Sequence, residues 1–186
     1  MIPLVYLSTG EPTPFNRAVG IPARATYDGK KLKAYVFVWG HEKKTGTGFP
    51  EIEVYVAGFD ELIPEKELEQ FEGPDLSDAA LKTDTFEITI TRNGQRFNVS
   101  NRVELCPGSY PESIVPQGGN NVFDTGINLS AARRGAWKQF IREMSSGFDK
   151  GHISLGGKVL SHRIEIDFSG NGIAPLLQDL LRFTGP

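Results

Sequence analysis

The sequence predicts an α+β fold: a mainly antiparallel, curved β-sheet of meanders and hairpins with two or three helices packed on one side. Short runs in which apolar and polar residues alternate, joined by dipeptides suited to tight turns, are the first sign of it. Amphipathic stretches are the second, in a loose recurrence of strands followed by a helix at 23–72, 85–145 and 152–183. Size is the third, since 186 residues, 39% of them hydrophobic, suffice for a core without metal or disulfide. One compact domain over 1–186 is expected, with 1–83 and 84–186 as its sub-modules.

The chain opens as a meander. Leu4–Leu7 reads as a short strand, after which Pro12, Pro14 and Gly20 punctuate a loop. Strands at Ala23–Tyr27 and Leu32–Trp39 flank Asp28-Gly29, a pair that tolerates the positive φ of a hairpin turn. Leu32, Ala34, Val36 and Val38 share one face of the second strand and Tyr35, Phe37 and Trp39 the other, which marks it as central. In Glu51–Ala57, Ile52, Val54 and Val56 alternate with more polar residues. Residues 61–82 read as two short helical pieces separated at Gly73-Pro74.

The hairpin Thr85–Thr91, Asn93-Gly94, Arg96–Ser100 is the clearest element. A two-residue turn pairs Ile90 with Phe97 and Ile88 with Val99, collecting Phe86, Ile88, Ile90, Phe97 and Val99 on one side. Leu105–Asn121 reads as a long loop, and Val122–Leu129 as a strand feeding a helix at Ala131–Ser145. Ser130 suits its N-cap, and Trp137, Phe140, Ile141 and Met144 make its apolar stripe. A second hairpin is expected to turn at Gly156-Gly157, pairing Leu155 with Lys158 and His152 with Ser161. Leu160, His162, Ile164, Ile166 and Phe168 then face inward. A terminal helix, Ile173–Phe183, buries Leu176, Leu177, Leu180 and Leu181.

Composition narrows the function. No apolar run approaches the roughly 20 residues of a membrane helix, and the start of the chain lacks the basic region of a signal peptide. With a lone cysteine, Cys106, these features lead to the expectation of a cytoplasmic protein. The net charge of −3 conceals an acidic segment, −7 over 61–90, followed by a basic one, +3 over 91–150. A protein with that balance is a poor general coat for DNA, but a local basic face suffices for binding.

Catalytic signatures are missing: no G-x-S-x-G elbow, no C-x-x-C, and no Gly-Lys-Ser/Thr ending in Gly40–Gly48. His41-Glu42 opens like a zinc helix, yet Thr45 stands where the second histidine belongs. No catalytic residue, cofactor or metal ligand is therefore expected, and His162 reads as a core-facing histidine.

One feature breaks a local rule. Acidic side chains suit the positive end of a helix dipole, yet Arg133 and Arg134 stand in the first turn of the 131–145 helix. A bound anion held by free backbone N–H groups and guanidinium forks relieves that clash. Arg134, Lys138 and Arg142 continue as a stripe, Arg92, Arg96 and Arg102 lie on the preceding hairpin, and Tyr110 is a candidate stacking ring.

The hairpin 85–100, the stretch Thr125-Gly126-Ile127-Asn128-Leu129-Ser130 and an amphipathic helix carrying Trp137 resemble the PC4-like and Whirly single-stranded-DNA-binding modules. The resemblance spans residues 85–145. It implies a curved antiparallel sheet followed by a helix, with strand-borne basic contacts at Arg92, Arg96 and Arg102. The tryptophan falls later in the helix than in those families, and the 105–121 segment has no counterpart there.

The function expected from the sequence is a non-catalytic binding protein for single-stranded nucleic acid, using Arg133, Arg134, Lys138, Arg142, Arg92, Arg96, Arg102 and Tyr110. A module for a protein partner, such as an inhibitor, immunity or assembly accessory using the acidic 61–87 face or the 105–121 loop, is the alternative. A virion or tube structural subunit is the third. Partners are single-stranded nucleic acid or protein, with no membrane, and a homo-oligomer is expected.

Overall fold

The computed structural model describes residues 4–7, 16–41, 51–58, 83–110, 119–124, 131–156 and 160–184. The expected helical pieces of 61–82, and with them most of the acidic 61–87 segment, lie outside the described residues. Nine strands are seen: β1 Leu4–Leu7, β2 Asn16–Tyr27, β3 Lys30–His41, β4 Glu51–Val56, β5 Thr83–Arg92, β6 Gln95–Tyr110, β7 Gly119–Asp124, β8 Lys150–Leu155 and β9 Ile164–Ser169. Two helices, α1 Ala131–Ser145 and α2 Ala174–Thr184, complete the described elements.

All pairings are antiparallel, in the order β1-β2-β3-β4-β7-β6-β5-β8-β9. The sheet curves until β9 returns to β2, where Ala23 faces Phe168 and Tyr27 faces Ile164. One edge of β2 is thus shared: β1 occupies it at Arg17–Gly20 and β9 from Ala23 onward. Pro22, which has no N–H to donate, falls in the gap between them.

Strand alternation sorts side chains onto two faces. The inner face supplies Val19, Ile21, Val36, Val38, Ile52, Val54, Ile88, Ile90, Ile153 and Ile166 to the main core, and both helices bury their apolar stripes against it. Trp137, Ile141 and Met144 of α1 are fully buried, as is Leu177 of α2. The outer face of β2–β4 carries a smaller aromatic cluster of Phe37, Trp39 and Tyr55 with Ala18, against which Tyr35 packs. This explains why β3 is apolar on both sides.

Both turn dipeptides take the positive φ their chemistry allows, Asp28 and Gly29 at 47° and 73°, Asn93 and Gly94 at 51° and 78°. Ile90 faces Phe97 and Ile88 faces Val99, the expected register.

Three expectations are corrected. Gly20 is not in a loop: β2 extends back to Asn16, because β1 and β3 clasp it from both sides. Of the expected 105–121 loop, 105–110 and 119–121 are strand, since β6 continues to Tyr110 and pairs with β7 across an irregularity between Pro107 and Tyr110, and 111–118 lie outside the described residues. Pro107 lies beyond Glu104, the last β6 residue that pairs with a described residue of β5.

The third concerns the Gly156-Gly157 hairpin. Leu155 pairs with Ile164 and His152 with Asp167, with residues 156–163 connecting the strands. The Gly156 peptide is held by Thr85 instead: its N–H donates to the Thr85 carbonyl at 2.9 Å, and its carbonyl accepts from the Thr85 hydroxyl at 2.5 Å. His162 consequently leaves the core, half-exposed beside Asp28 and edge-on to the Tyr27 ring.

Candidate functional site

The eight residues expected to form a basic site are divided by the fold. Arg133 and Arg134 do occupy the first turn of α1, which begins at Ala131 and has no acidic residue there. Their side chains, with those of Arg102 and Tyr110, lie outside the described part. Arg102 pairs with Thr85 in the β5–β6 ladder, and Tyr110 ends β6 instead of standing in a loop. Along α1, Lys138 is half-buried and Arg142 exposed, and neither ion-pairs with a described residue.

Arg92 and Arg96 share a hairpin and part company by parity. Arg92 follows Ile88 and Ile90 onto the inner side and reaches the C-terminal end of α1. Its Nη2 donates to the Glu143 carboxylate at 2.8 Å and its Nη1 to the carbonyls of Glu143 and Gly147 at 3.1 and 3.3 Å. The guanidinium also lies 4.8 Å from the centre of the Phe97 ring. A cation at a helix C-terminus complements the dipole, so Arg92 clamps hairpin to helix. Ser145 and Ser146 hydroxyls and the Gln178 amide satisfy further terminal carbonyls.

Arg92 and Gln139 hold the Glu143 carboxyl below its ordinary value by hydrogen bonding to its ionised form. A carboxyl lowered on folding adds stability above its unfolded value, lost as pH falls through the folded one. The expected result is an acid limb in melting temperature below about pH 4.5. In Arg92→Met that limb flattens and the neutral-pH melting temperature drops, as pH-resolved thermal denaturation would read.

Arg96 belongs to the outer face, where the registers lay out polar rows across several strands. One runs Asn98, Thr89, His152, Asp167, Arg24, Lys33 through β6, β5, β8, β9, β2 and β3. Beside it run Arg96, Thr91, Lys150 and Ser169, and on the other side Ser100, Glu87, Ser154, Glu165, Thr26 and Lys31. Measured around the curved sheet, six strands at the usual spacing span about 24 Å.

The acids of this face are mostly engaged. His152 sits between two carboxylates, Nδ1 2.8 Å from Asp167 and Nε2 2.9 Å from Glu165. Because ionised carboxylates only accept, both contacts are hydrogen bonds only when both ring nitrogens carry protons. The other Glu165 oxygen accepts from the Ser154 hydroxyl at 2.9 Å, and Ser154 accepts from Arg163 Nε at 2.8 Å. Ser154 thus gives its proton to a carboxylate and not to His152, which is not the arrangement that makes a serine nucleophilic. Among the described residues no group of three or more His, Cys, Asp or Glu side chains is set to hold a metal.

Arg24, Lys31, Arg96 and Lys150 are exposed and form no ion pair with a described residue. A shallow groove of about 420 Å³ lies among Thr91, Arg96, Lys150 and His152. Sequence reasoning passed over Arg24, Lys31 and Lys150 because Lys150 meets Arg96 only across the β5–β8 pairing, and Arg24 and Lys31 join them through the β9–β2 pairing, between segments over 100 residues apart. The signal available was the alternation Lys150, His152, Ser154 against Gly151, Ile153, Leu155. Set beside protein-family models, curated proteins and solved structures, the chain matches none of them.

Proposed function

We propose that the protein binds single-stranded nucleic acid without catalysing a reaction, through the outer face of β6-β5-β8-β9-β2-β3. The observation that carries this reading is the balance of charged side chains on that face. Glu165 and Asp167 contact His152 and Ser154 and Glu87 stands exposed, three carboxylates against the exposed cations Arg24, Lys31, Arg96 and Lys150. Phosphates therefore meet a net positive field on a protein whose total charge is −3. The arc of about 24 Å suits a few nucleotides following the curved sheet. Arg133 and Arg134 at the start of α1 are assigned as a second phosphate contact, and the resemblance of 85–145 to PC4-like and Whirly modules supports the same ligand class.

Fluorescence polarisation with labelled single- and double-stranded oligonucleotides at two salt concentrations tests it. Single strands are expected to bind more tightly than duplex, with log affinity falling by about 0.7 per log salt for each phosphate contacted. Absence of binding at low salt, or affinity indifferent to salt, overturns the reading.

A further inference from the structure

Three polar side chains are buried among the described residues: Ser145, Thr184 and Thr89. The hydroxyls of Ser145 and Thr184 donate to the carbonyls of Arg142 and Leu181 at 2.7 and 3.0 Å. Thr89, 6% exposed, has no hydrogen-bond partner among the described residues. A buried hydroxyl left unpaired is costly and calls for a ligand or a water. Strand parity turns Thr89 away from the buried Ile88 and Ile90, and it lines the groove of about 420 Å³ on the outer face. At the next outward position of β5, Thr91 stands between Arg96 on β6 and Lys150 on β8, its partners in the two ladders. Each cation is therefore one strand, about 4.8 Å, from Thr91. Neither is bonded to a described residue. The one carboxylate in the lining, Asp167, contacts the His152 ring at 2.8 Å. Two short hydroxyl side chains bordered by two long cations make a recess that suits a tetrahedral oxyanion.

Resting on the reading above, we propose that this groove holds one phosphate group of the bound strand. The Thr89 and Thr91 hydroxyls donate to its oxygens, and Arg96 and Lys150 close on it from either side. Thr89 then fixes where on the sheet that phosphate sits, because its hydroxyl is short and buried whereas the two cations reach from long exposed side chains.

Removing one hydroxyl tests this without touching a charge. Thr89→Val keeps the shape and the strand preference, and replacing an unpaired buried hydroxyl by a methyl leaves the melting temperature unchanged or raises it. Thr89→Ser keeps the hydroxyl. Labelled single strands are titrated against wild type and both variants by fluorescence polarisation over several salt concentrations. The expected result is a loss of about tenfold in Thr89→Val, the scale of one hydrogen bond to a charged group, with Thr89→Ser close to wild type. The salt slope stays the same in both, since no cation is lost. Thermal melting in inorganic phosphate, against chloride of equal ionic strength, reads the phosphate group alone: wild type and Thr89→Ser gain stability and Thr89→Val does not. Strand affinity unchanged in Thr89→Val, or lost equally in Thr89→Ser, overturns the groove while leaving strand binding by the outer face intact. A wild type that is stabilised by phosphate but binds no strand overturns the parent reading and the strand as the source of the phosphate.

Discussion

Trp137→Ala is expected to destabilise the protein by about 3–5 kcal/mol, the cost of truncating a fully buried large aromatic. The indole lies 6.0 Å from the Phe86 ring and 6.3 Å from that of Phe140, so it joins β5 to α1. Domains are stable by about 5–15 kcal/mol, so this one change removes a large share of the total. Among the described residues the indole N–H has no hydrogen-bond partner, so packing is the contribution they show. Trp137→Phe should therefore retain most of the stability. Denaturant unfolding of both variants reads the difference, and a phenylalanine variant as weak as the alanine one would show that the N–H has a hidden acceptor.

Neutralising Arg24, Arg96 and Lys150 together, each to glutamine, is expected to weaken single-strand binding roughly tenfold to a hundredfold at low salt. Three lost phosphate contacts should also lower the salt slope by about 2, at 0.7 per contact. These side chains are exposed and pair with no described carboxylate, so the melting temperature should hardly move. Polarisation titrations over several salt concentrations measure both quantities. A variant with unchanged affinity and slope would remove the outer face from the account. A matching loss from Arg92→Met, in contrast, would reflect the clamp on α1, because Arg92 already serves Glu143, Gly147 and Phe97.

Much of the fold was legible because its signals are local. The Asn93-Gly94 hairpin needs only its turn dipeptide and two apolar runs, and its register follows without distant information. Helix α1 was legible from a stripe at i, i+3, i+4 and i+7, whose four residues are all buried. What failed depends on partners far away in sequence. Gly156-Gly157 looks like a tight turn until Thr85, on another strand, takes the Gly156 peptide for its own bonds. Gly20 looks like loop punctuation until β1 and β3 are known to arrive beside it. The candidate site suffered most: Arg92 and Arg96 look equivalent in sequence, yet parity sends one inward to a helix end and the other outward to solvent. Lys150 joined Arg96 through the β5–β8 pairing, and Arg24 and Lys31 only through the long-range return of β9 to β2.

Placement of the strand is what the account stands on, and photocrosslinking reads it directly. A single-stranded oligonucleotide carrying photoreactive pyrimidines is bound at low salt, irradiated, and the attached peptides are located by mass spectrometry. The expected attachments fall within 24–33, 87–100, 149–156 and 160–169, the stretches that build the outer face, and beside Arg133 and Arg134. Attachments confined to other parts of the chain would contradict the account.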